Sequence, residues 1–161
     1  MNRARLSVSV IGAGDASPEE AGLAEEVGRL VAQRGAVLVC GGLGGVMEAA
    51  CRGARSVGGL TVGILPGYDR TAANPWTDVV IATGLAEARN VIVAASGDGV
   101  IAVGGSLGTL SEMALALKLR RPVVALRSWQ LEPKRLPEHS RLLVAETPTE
   151  AVELLFHELD A

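Results

Sequence analysis

Short runs of apolar, mostly β-branched residues alternate along the chain with longer segments in which apolar residues recur every three or four positions. The first pattern is typical of strands buried on both faces, and the second of amphipathic helices. In the first helical segment Ser17 suits the N-cap, Pro18 suits the first helical position, and Gly35 marks the end.

The strands are predicted at Leu6–Ile11, Val37–Cys40, Thr61–Leu65, Asp78–Ala82, Gly99–Val103, Pro122–Leu126 and Leu142–Ala145. The helices are predicted between Ser17 and Gly35, at about Val46–Val57, at Leu85–Ser96, at about Leu107–Leu119 and at Thr149–Leu159, with an irregular loop over Pro66–Thr77. Alternating strands and helices predict a doubly wound, Rossmann-like α/β fold, with a parallel sheet covered by helices on both faces. A length of 161 residues predicts one nucleotide-binding domain over residues 1–161. Such sheets bind ligands beyond the carboxyl ends of their strands.

Composition narrows the class of protein. The chain has 20 glycines but only two Trp, one Tyr and one Phe, so aliphatic residues must build the core and many glycines must serve backbone geometry. The net charge is -3 without a basic block, which disfavours nucleic-acid binding. Apolar runs such as Val91–Ala95 are far shorter than the roughly 20 residues of a membrane span, and the N-terminal segment is too short for a secretory signal. We therefore expect a cytoplasmic protein with no membrane partner, in which Cys40 and Cys51 stay reduced.

A glycine-rich turn follows the second predicted strand, where Gly41, Gly42, Gly44 and Gly45 precede Val46 and Met47. Glycines let a bare backbone approach a ligand, and the unpaired N–H groups at a helix start attract anions. The turn is therefore a candidate phosphate site. The alternative is that its glycines only let a strand and a helix pack closely.

A second such turn runs from Gly104 through Gly105, Ser106, Gly108 and Thr109 to Glu112. Its two hydroxyl groups, on Ser106 and Thr109, could donate to a phosphate. The alternative for Glu112 is a capping box with Thr109, in which the carboxylate bonds only to the backbone.

Gly12 and Gly14 end the first strand and are expected to form one wall of the same crevice. Neither the P-loop pattern nor a full GxGxxG pattern occurs, which disfavours Walker-type phosphoryl transfer and NAD binding. His139 and His157 have no nearby cluster of metal-ligating residues in the sequence, so neither a metal site nor a cofactor is predicted.

The segment Gly104–Glu112 resembles the PGGxGTxxE signature of the "lysine decarboxylase-like" family, and Gly41–Met47 resembles that family's GGGxxGLM-like turn. This SLOG superfamily includes the LONELY GUY phosphoribohydrolases, which hydrolyse the N-glycosidic bond of nucleoside 5′-monophosphates. The resemblance implies catalytic roles for Arg89 and Glu112, and phosphate binding by Gly104, Gly105, Gly108 and Thr109. For Arg89 the alternative is an ordinary surface arginine.

Two positions depart from the hydrolase pattern: Val103 replaces the motif proline, and Glu48 stands where the hydrolases usually have glycine. These details resemble a shorter branch that is also similar to molybdenum-cofactor carrier proteins. Lysine decarboxylation is disfavoured because Lys118 and Lys134 lack a pyridoxal-type setting.

The main functional hypothesis is therefore binding of a phosphorylated, nucleotide-like molecule, with hydrolysis of a nucleoside 5′-monophosphate. The alternative is a carrier or sensor without chemistry, and a third possibility leaves the glycines as packing devices. The segment Leu107–Leu119 is apolar on more than one face, which predicts a homo-oligomer.

Overall fold

A computed structural model describes residues 4–160, which form a seven-stranded parallel sheet with five α-helices. The strands are β1 (Ser7–Gly12), β2 (Val37–Cys40), β3 (Thr61–Leu65), β4 (Val79–Ala82), β5 (Gly99–Val103), β6 (Val123–Leu126) and β7 (Leu142–Ala145). The helices are α1 (Pro18–Gln33), α2 (Val46–Ser56), α3 (Arg89–Ser96), α4 (Leu107–Lys118) and α5 (Pro148–Leu159). The predicted α/β Rossmann-like fold is confirmed. No helix in this part of the chain is long and apolar enough to cross a membrane.

The strand order is β4-β3-β2-β1-β5-β6-β7, so the connections reverse direction between β1 and β5. These two central strands end side by side, because Gly12 pairs with Val103 in the parallel register. In a doubly wound sheet, the carboxyl ends of the strands at this switch point open into the ligand crevice. The turns that follow Gly12 and Val103 therefore lie at the predicted binding edge.

Side chains of β1 alternate between the two faces of the sheet. Val8 and Val10 belong to the core cluster under α1, α2 and α5. Ile11 belongs to the opposite cluster with Val93 of α3 and Met113 of α4. Both faces of the central strands are thus buried, which explains why their sequences are continuous apolar runs.

The helices α1 and α2 cross with their backbones in close contact, and glycines make this possible. A Cβ added at Gly28 of α1 would collide with the carbonyl oxygen of Ala50, and one added at Gly53 of α2 would collide with that of Glu25. Gly22, also in α1, has no atom within 4 Å of such a Cβ. Two of the glycines therefore set the distance between helices.

The third helix begins later than its sequence pattern predicts. The prediction started it at Leu85, but Ala86 has a φ of 50° and its N–H donates to the Pro66 carbonyl oxygen, 2.9 Å away. Residues Ala86–Ala88 form a 3₁₀ turn, and α3 starts at Arg89. This start places Arg89 and Asn90 at the carboxyl edge of the sheet.

Candidate functional site

A pocket of about 260 Å³ opens at the switch point between the end of β1 and the first turns of α3 and α4. Seven of the residues singled out from the sequence line it, namely Gly12, Gly41, Arg89, Ser106, Gly108, Thr109 and Glu112. The other lining residues are Val10, Ile11, Met47, Pro66, Glu87 and Asn90. The structure thus brings together Gly12 from the end of β1, Gly41 from the turn after β2, and Arg89. The Ser106–Glu112 segment contributes four of its residues to the pocket lining.

Within the first long glycine turn, most glycines face protein and not the pocket. Gly42 has a φ of 76°, and an added Cβ would lie 2.8 Å from the Leu65 side chain. Gly45 has a φ of 63° and packs on the Ala13–Gly14 backbone, where the Val46 N–H donates to the Ala13 carbonyl oxygen (3.0 Å). These contacts match the packing alternative for the turn.

Gly14 and Gly44 have more room, with the nearest atoms 3.8 and 3.5 Å from an added Cβ, but neither lines the pocket. Ligand contacts by Gly14, Gly42, Gly44 and Gly45 stay predictions. Gly12 lines the pocket and packs on the Val46 side chain, which leaves no space there for a Cβ.

The second glycine turn is divided between two hollows. Gly104 (φ 54°) lies against the Glu20 carboxyl group, and Gly105 (φ 126°) lies against Thr109. Both line a separate, shallower hollow together with Arg127 and Trp129. Ser106, Gly108 and Thr109, in contrast, face the pocket with Arg89 and Glu112. Phosphate binding by Gly104 and Gly105 stays a prediction.

The first turn of α4 shows what caps this helix. Ser106 is the N-cap, and its N–H donates to the Thr109 hydroxyl group (3.2 Å). Glu112 lies one turn further along α4, so the alternative capping box of Thr109 with Glu112 is wrong. The Trp129 indole N–H donates to the Ser106 carbonyl oxygen (2.9 Å), a contact that no local sequence pattern indicated.

Arg89 and Glu112 face each other inside the pocket. Their exposed fractions are 9% and 6%, so the surface alternative for Arg89 is wrong. Arg89 Nη1 lies 3.8 Å from Glu112 Oε1, close enough for an ion pair but too far for a hydrogen bond. Within residues 4–160, the buried Nε of Arg89 has no hydrogen-bond partner. The guanidinium of Arg89 is thus buried with one of its donors unpaired.

Burial controls the ionisation of this pair. Loss of hydration raises the pKa of Glu112 to about 7, and the opposing attraction of Arg89 is smaller. Burial likewise lowers the pKa of Arg89, against the attraction of Glu112. Without a hydrogen bond, the attraction does not offset the cost of burying the charges. A carboxyl group whose pKa is raised toward neutral pH is suited to proton transfer.

The raised pKa predicts a pH-dependent cost in stability. Between the ordinary value of 4.5 and about 7, the folded protein binds more protons at Glu112 than the unfolded chain, so this group makes folding less favourable as pH rises. We expect Glu112→Gln to increase the free energy of unfolding by about 3 kcal/mol at pH 8 and to change it little at pH 4. Urea denaturation at both pH values measures this difference. An equal effect at the two pH values would contradict the assignment.

Other candidates from the sequence lie outside the pocket. Cys40 and Cys51 are free and fully buried, with their sulfur atoms 3.5 Å apart. Cys40 Sγ accepts a hydrogen bond from the Gly42 N–H (3.3 Å), so this buried thiol stabilises the glycine turn from the protein interior. The described residues contain no cluster of His, Cys, Asp and Glu that could hold a metal ion.

Known proteins resemble this chain in sequence and in fold. The model of the SLOG cluster4 family matches residues 5–152. An uncharacterized protein of Archaeoglobus fulgidus is 47% identical over 147 residues, which cover 91% of this chain and 92% of the relative. A cytokinin riboside 5′-monophosphate phosphoribohydrolase of Mycobacterium tuberculosis is 40% identical over 105 residues, which cover 61% of this chain and 56% of the hydrolase.

Among solved structures, the molybdenum cofactor binding protein of Rippkaea orientalis superposes with a TM-score of 0.89. It is 38% identical, and the match covers 99% of each chain. The superfamily predicted from the two glycine motifs is confirmed, and the full-length likeness is to its shorter branch. The chain belongs to the SLOG cluster4 family.

Proposed function

We propose that this protein binds a phosphorylated, nucleotide-like small molecule in the Arg89–Glu112 pocket and hydrolyses the N-glycosidic bond of a nucleoside 5′-monophosphate. The observation that carries the proposal is the buried pair itself. It places a buried guanidinium and a buried carboxyl group with a pKa raised to about 7 in one pocket, together with the first turn of α4.

The first turn of α4 supplies the phosphate site in this proposal. The first N–H groups of a helix have no intrahelical acceptor, and the helix dipole adds a partial positive charge there. Gly108 and Thr109 lie in this turn and line the pocket, and Gly108 keeps the approach free of a side chain. The Ser106 hydroxyl group and the Arg89 guanidinium, both at the pocket, add donors. A phosphomonoester is the class of anion that uses this set of donors.

Glu112 supplies the chemistry at the sugar. Cleavage of an N-glycosidic bond passes through an oxocarbenium-like state, in which a nearby carboxylate stabilises the sugar cation or activates the attacking water. Water adds to the anomeric carbon, and the base leaves with the bonding electrons and takes up a proton. Arg89 orients Glu112 or offsets negative charge on the departing base. The likeness to the mycobacterial phosphoribohydrolase favours this reaction.

A second candidate function is the carriage of a phosphorylated pterin without turnover. It is favoured by the likeness to a molybdenum cofactor binding protein over 99% of both chains. The same phosphate site serves both functions, and they differ in whether Glu112 ever acts on the ligand. The pterin would be cargo, not a resident cofactor.

Two measurements on the purified protein separate these functions. Chromatography of a panel of nucleoside 5′-monophosphates after incubation measures release of the free base. Mass spectrometry of the natively purified protein identifies any bound ligand. Base release supports the hydrolase, whereas a bound intact pterin without base release supports the carrier. If neither is seen, and no phosphate ester raises the melting temperature, the proposal fails.

Gly41 offers a test of the role of Arg89 in binding. An added methyl group would meet the Arg89 guanidinium and lie 2.7 Å from Met47 Sδ, both at the ends of flexible side chains. Gly41→Ala should therefore fold normally but move the guanidinium, and weaken adenosine 5′-monophosphate binding about 10-fold to 100-fold. Titration calorimetry measures the affinity.

Gly67→Ala is the matched control, because Gly67 also follows a strand at this edge and has no atom within 4 Å of an added Cβ. We expect its affinity to equal that of the unmodified protein. Equal affinities for all three proteins would argue against Arg89 as a phosphate ligand.

The remaining partner predictions are also proposals. Leu107 is 74% exposed at the start of α4, and Leu119 and Val91 are exposed apolar residues on the same side of the sheet. These residues support a homo-oligomer, because assembly would remove apolar surface from water. A cytoplasmic location, where the buried thiols stay reduced, is proposed with it.

A further inference from the structure

Asn90 joins the two halves of the pocket through a chain of hydrogen bonds. Arg89 Nη1 donates to Asn90 Oδ1 (3.2 Å), and Asn90 Nδ2 donates to Ser111 Oγ (3.3 Å). The Ser111 hydroxyl group donates in turn to the Gly108 carbonyl oxygen (2.6 Å). Arg89 at the start of α3 is thereby connected to the first turn of α4, which contains the proposed phosphate site.

The chemistry of the partners fixes the orientation of the Asn90 amide. A guanidinium can only donate, so the Asn90 oxygen must face Arg89. The single hydrogen of the Ser111 hydroxyl group is used by Gly108, so its oxygen accepts from the Asn90 nitrogen. A flipped amide would place two donors against each other at Arg89. The series of hydrogen bonds from Arg89 through Asn90 and Ser111 to Gly108 therefore has one stable arrangement.

Asn90 and Glu112 both face Nη1 of Arg89, a nitrogen with two hydrogens, but only Asn90 lies within hydrogen-bond range of it. The neutral amide oxygen lies 3.2 Å from Nη1, within hydrogen-bond range, and the carboxylate oxygen lies 3.8 Å from it, outside that range. A charged acceptor would ordinarily make the shorter bond. The position of Asn90 is thus a reason why the ion pair stays open.

We propose that Asn90 is a positioning residue that holds the Arg89 guanidinium short of a hydrogen bond with Glu112 and ties it to the first turn of α4. This inference rests on the proposed function, in which Arg89 and Glu112 form the reacting end of the pocket. Without Asn90, the guanidinium would close onto Glu112 and keep it ionised.

Two other titratable groups, Glu87 and Cys40, lie near the pair. Glu87, on the 3₁₀ turn before α3, lines the pocket. The Cys40 thiol at the end of β2 makes an electrostatic contribution that raises the pKa of Arg89, and this contribution is weaker than that of Glu112. The β1 residues that line the pocket carry no charge. A change in the titration of Glu112 in an Asn90 variant would therefore come from Arg89 and its hydration.

The test is a ¹³C NMR titration of the Glu112 side-chain carboxyl group in the ligand-free protein, assigned by its absence in Glu112→Gln. In Asn90→Ala we expect the pKa of Glu112 to fall from about 7 by about 1 or more, because the freed guanidinium approaches it. In Asn90→Asp we expect the pKa to rise, because a second carboxylate competes for Arg89. Ser111→Ala, which loosens Asn90 from α4, should give a smaller fall.

A residue with only a packing role would lower the melting temperature and leave this titration unchanged. An unchanged pKa of Glu112 in both folded Asn90 variants would overturn the inference. If Asn90→Ala does not fold, the test rests on Asn90→Asp. A lower or unchanged pKa of Glu112 in that variant would also overturn the proposed role of Asn90. The titration of Glu112 needs no ligand. Its outcome can therefore overturn the role of Asn90 independently of the proposed function, which is tested by base release and by ligand binding.

Discussion

Glu112→Gln is expected to reduce release of the base from a nucleoside 5′-monophosphate by about 10²-fold to 10⁴-fold, the usual range for loss of a general acid or base. Glutamine has nearly the same shape but cannot take up or release the proton. Burial favours the neutral form of the carboxyl group that this neutral amide replaces, so we expect the pocket to stay intact. Nucleotide binding should persist, because the proposed phosphate donors belong to α4 and Arg89.

The measurement compares the rate of base release with the dissociation constant of adenosine 5′-monophosphate for each protein. Glu87→Gln is the control, because Glu87 lines the same pocket but is exposed. It should reduce base release much less than Glu112→Gln does. Full activity of Glu112→Gln would remove Glu112 from the mechanism. Binding without base release in the unmodified protein would favour the carrier function.

Gly28→Ala is expected to lower the free energy of unfolding by about 3 kcal/mol or more. The added methyl group would collide with the Ala50 carbonyl oxygen, which belongs to the backbone of α2 and cannot rotate away. The two helices would have to separate, and core contacts of Val27 and Val31 with α2 and the sheet would weaken. Gly53→Ala should act in the same direction, because its methyl group would meet the backbone of α1.

Gly22→Ala in the same helix is the matched control. Its added methyl group has no neighbour within 4 Å, and alanine favours the helical state over glycine by about 0.5–1 kcal/mol. Urea denaturation should therefore show opposite signs for Gly22→Ala and Gly28→Ala. If both variants unfold at the same urea concentration, the close helix crossing does not determine stability.

The fold was predictable because its signals are local. Continuous apolar runs such as Val37–Cys40 identify strands of a parallel sheet, and the two residues Ser17 and Pro18 identify a helix start. The start of α3 was not predictable, because the positive φ of Ala86 depends on a bond to Pro66 from a distant part of the chain. Local patterns indicate the elements, while long-range contacts shift their ends.

The candidate site was harder to predict from the sequence than the fold, because glycines with different structural roles cannot be distinguished by residue type. Gly45 packs on the backbone after β1, Gly41 makes room for Arg89, and Gly108 lines the pocket. Their neighbours are residues far away in sequence. Arg89 and Glu112 were found through the family resemblance, whereas Asn90 and Trp129 match no motif and are recognised only from their hydrogen bonds.

The most direct test of the central claim is a crystal structure of the protein with adenosine 5′-monophosphate. The account predicts that the phosphate accepts hydrogen bonds from the first turn of α4 and from Arg89, with the sugar directed toward Glu112. A phosphate that contacts neither the first turn of α4 nor Arg89 would contradict it.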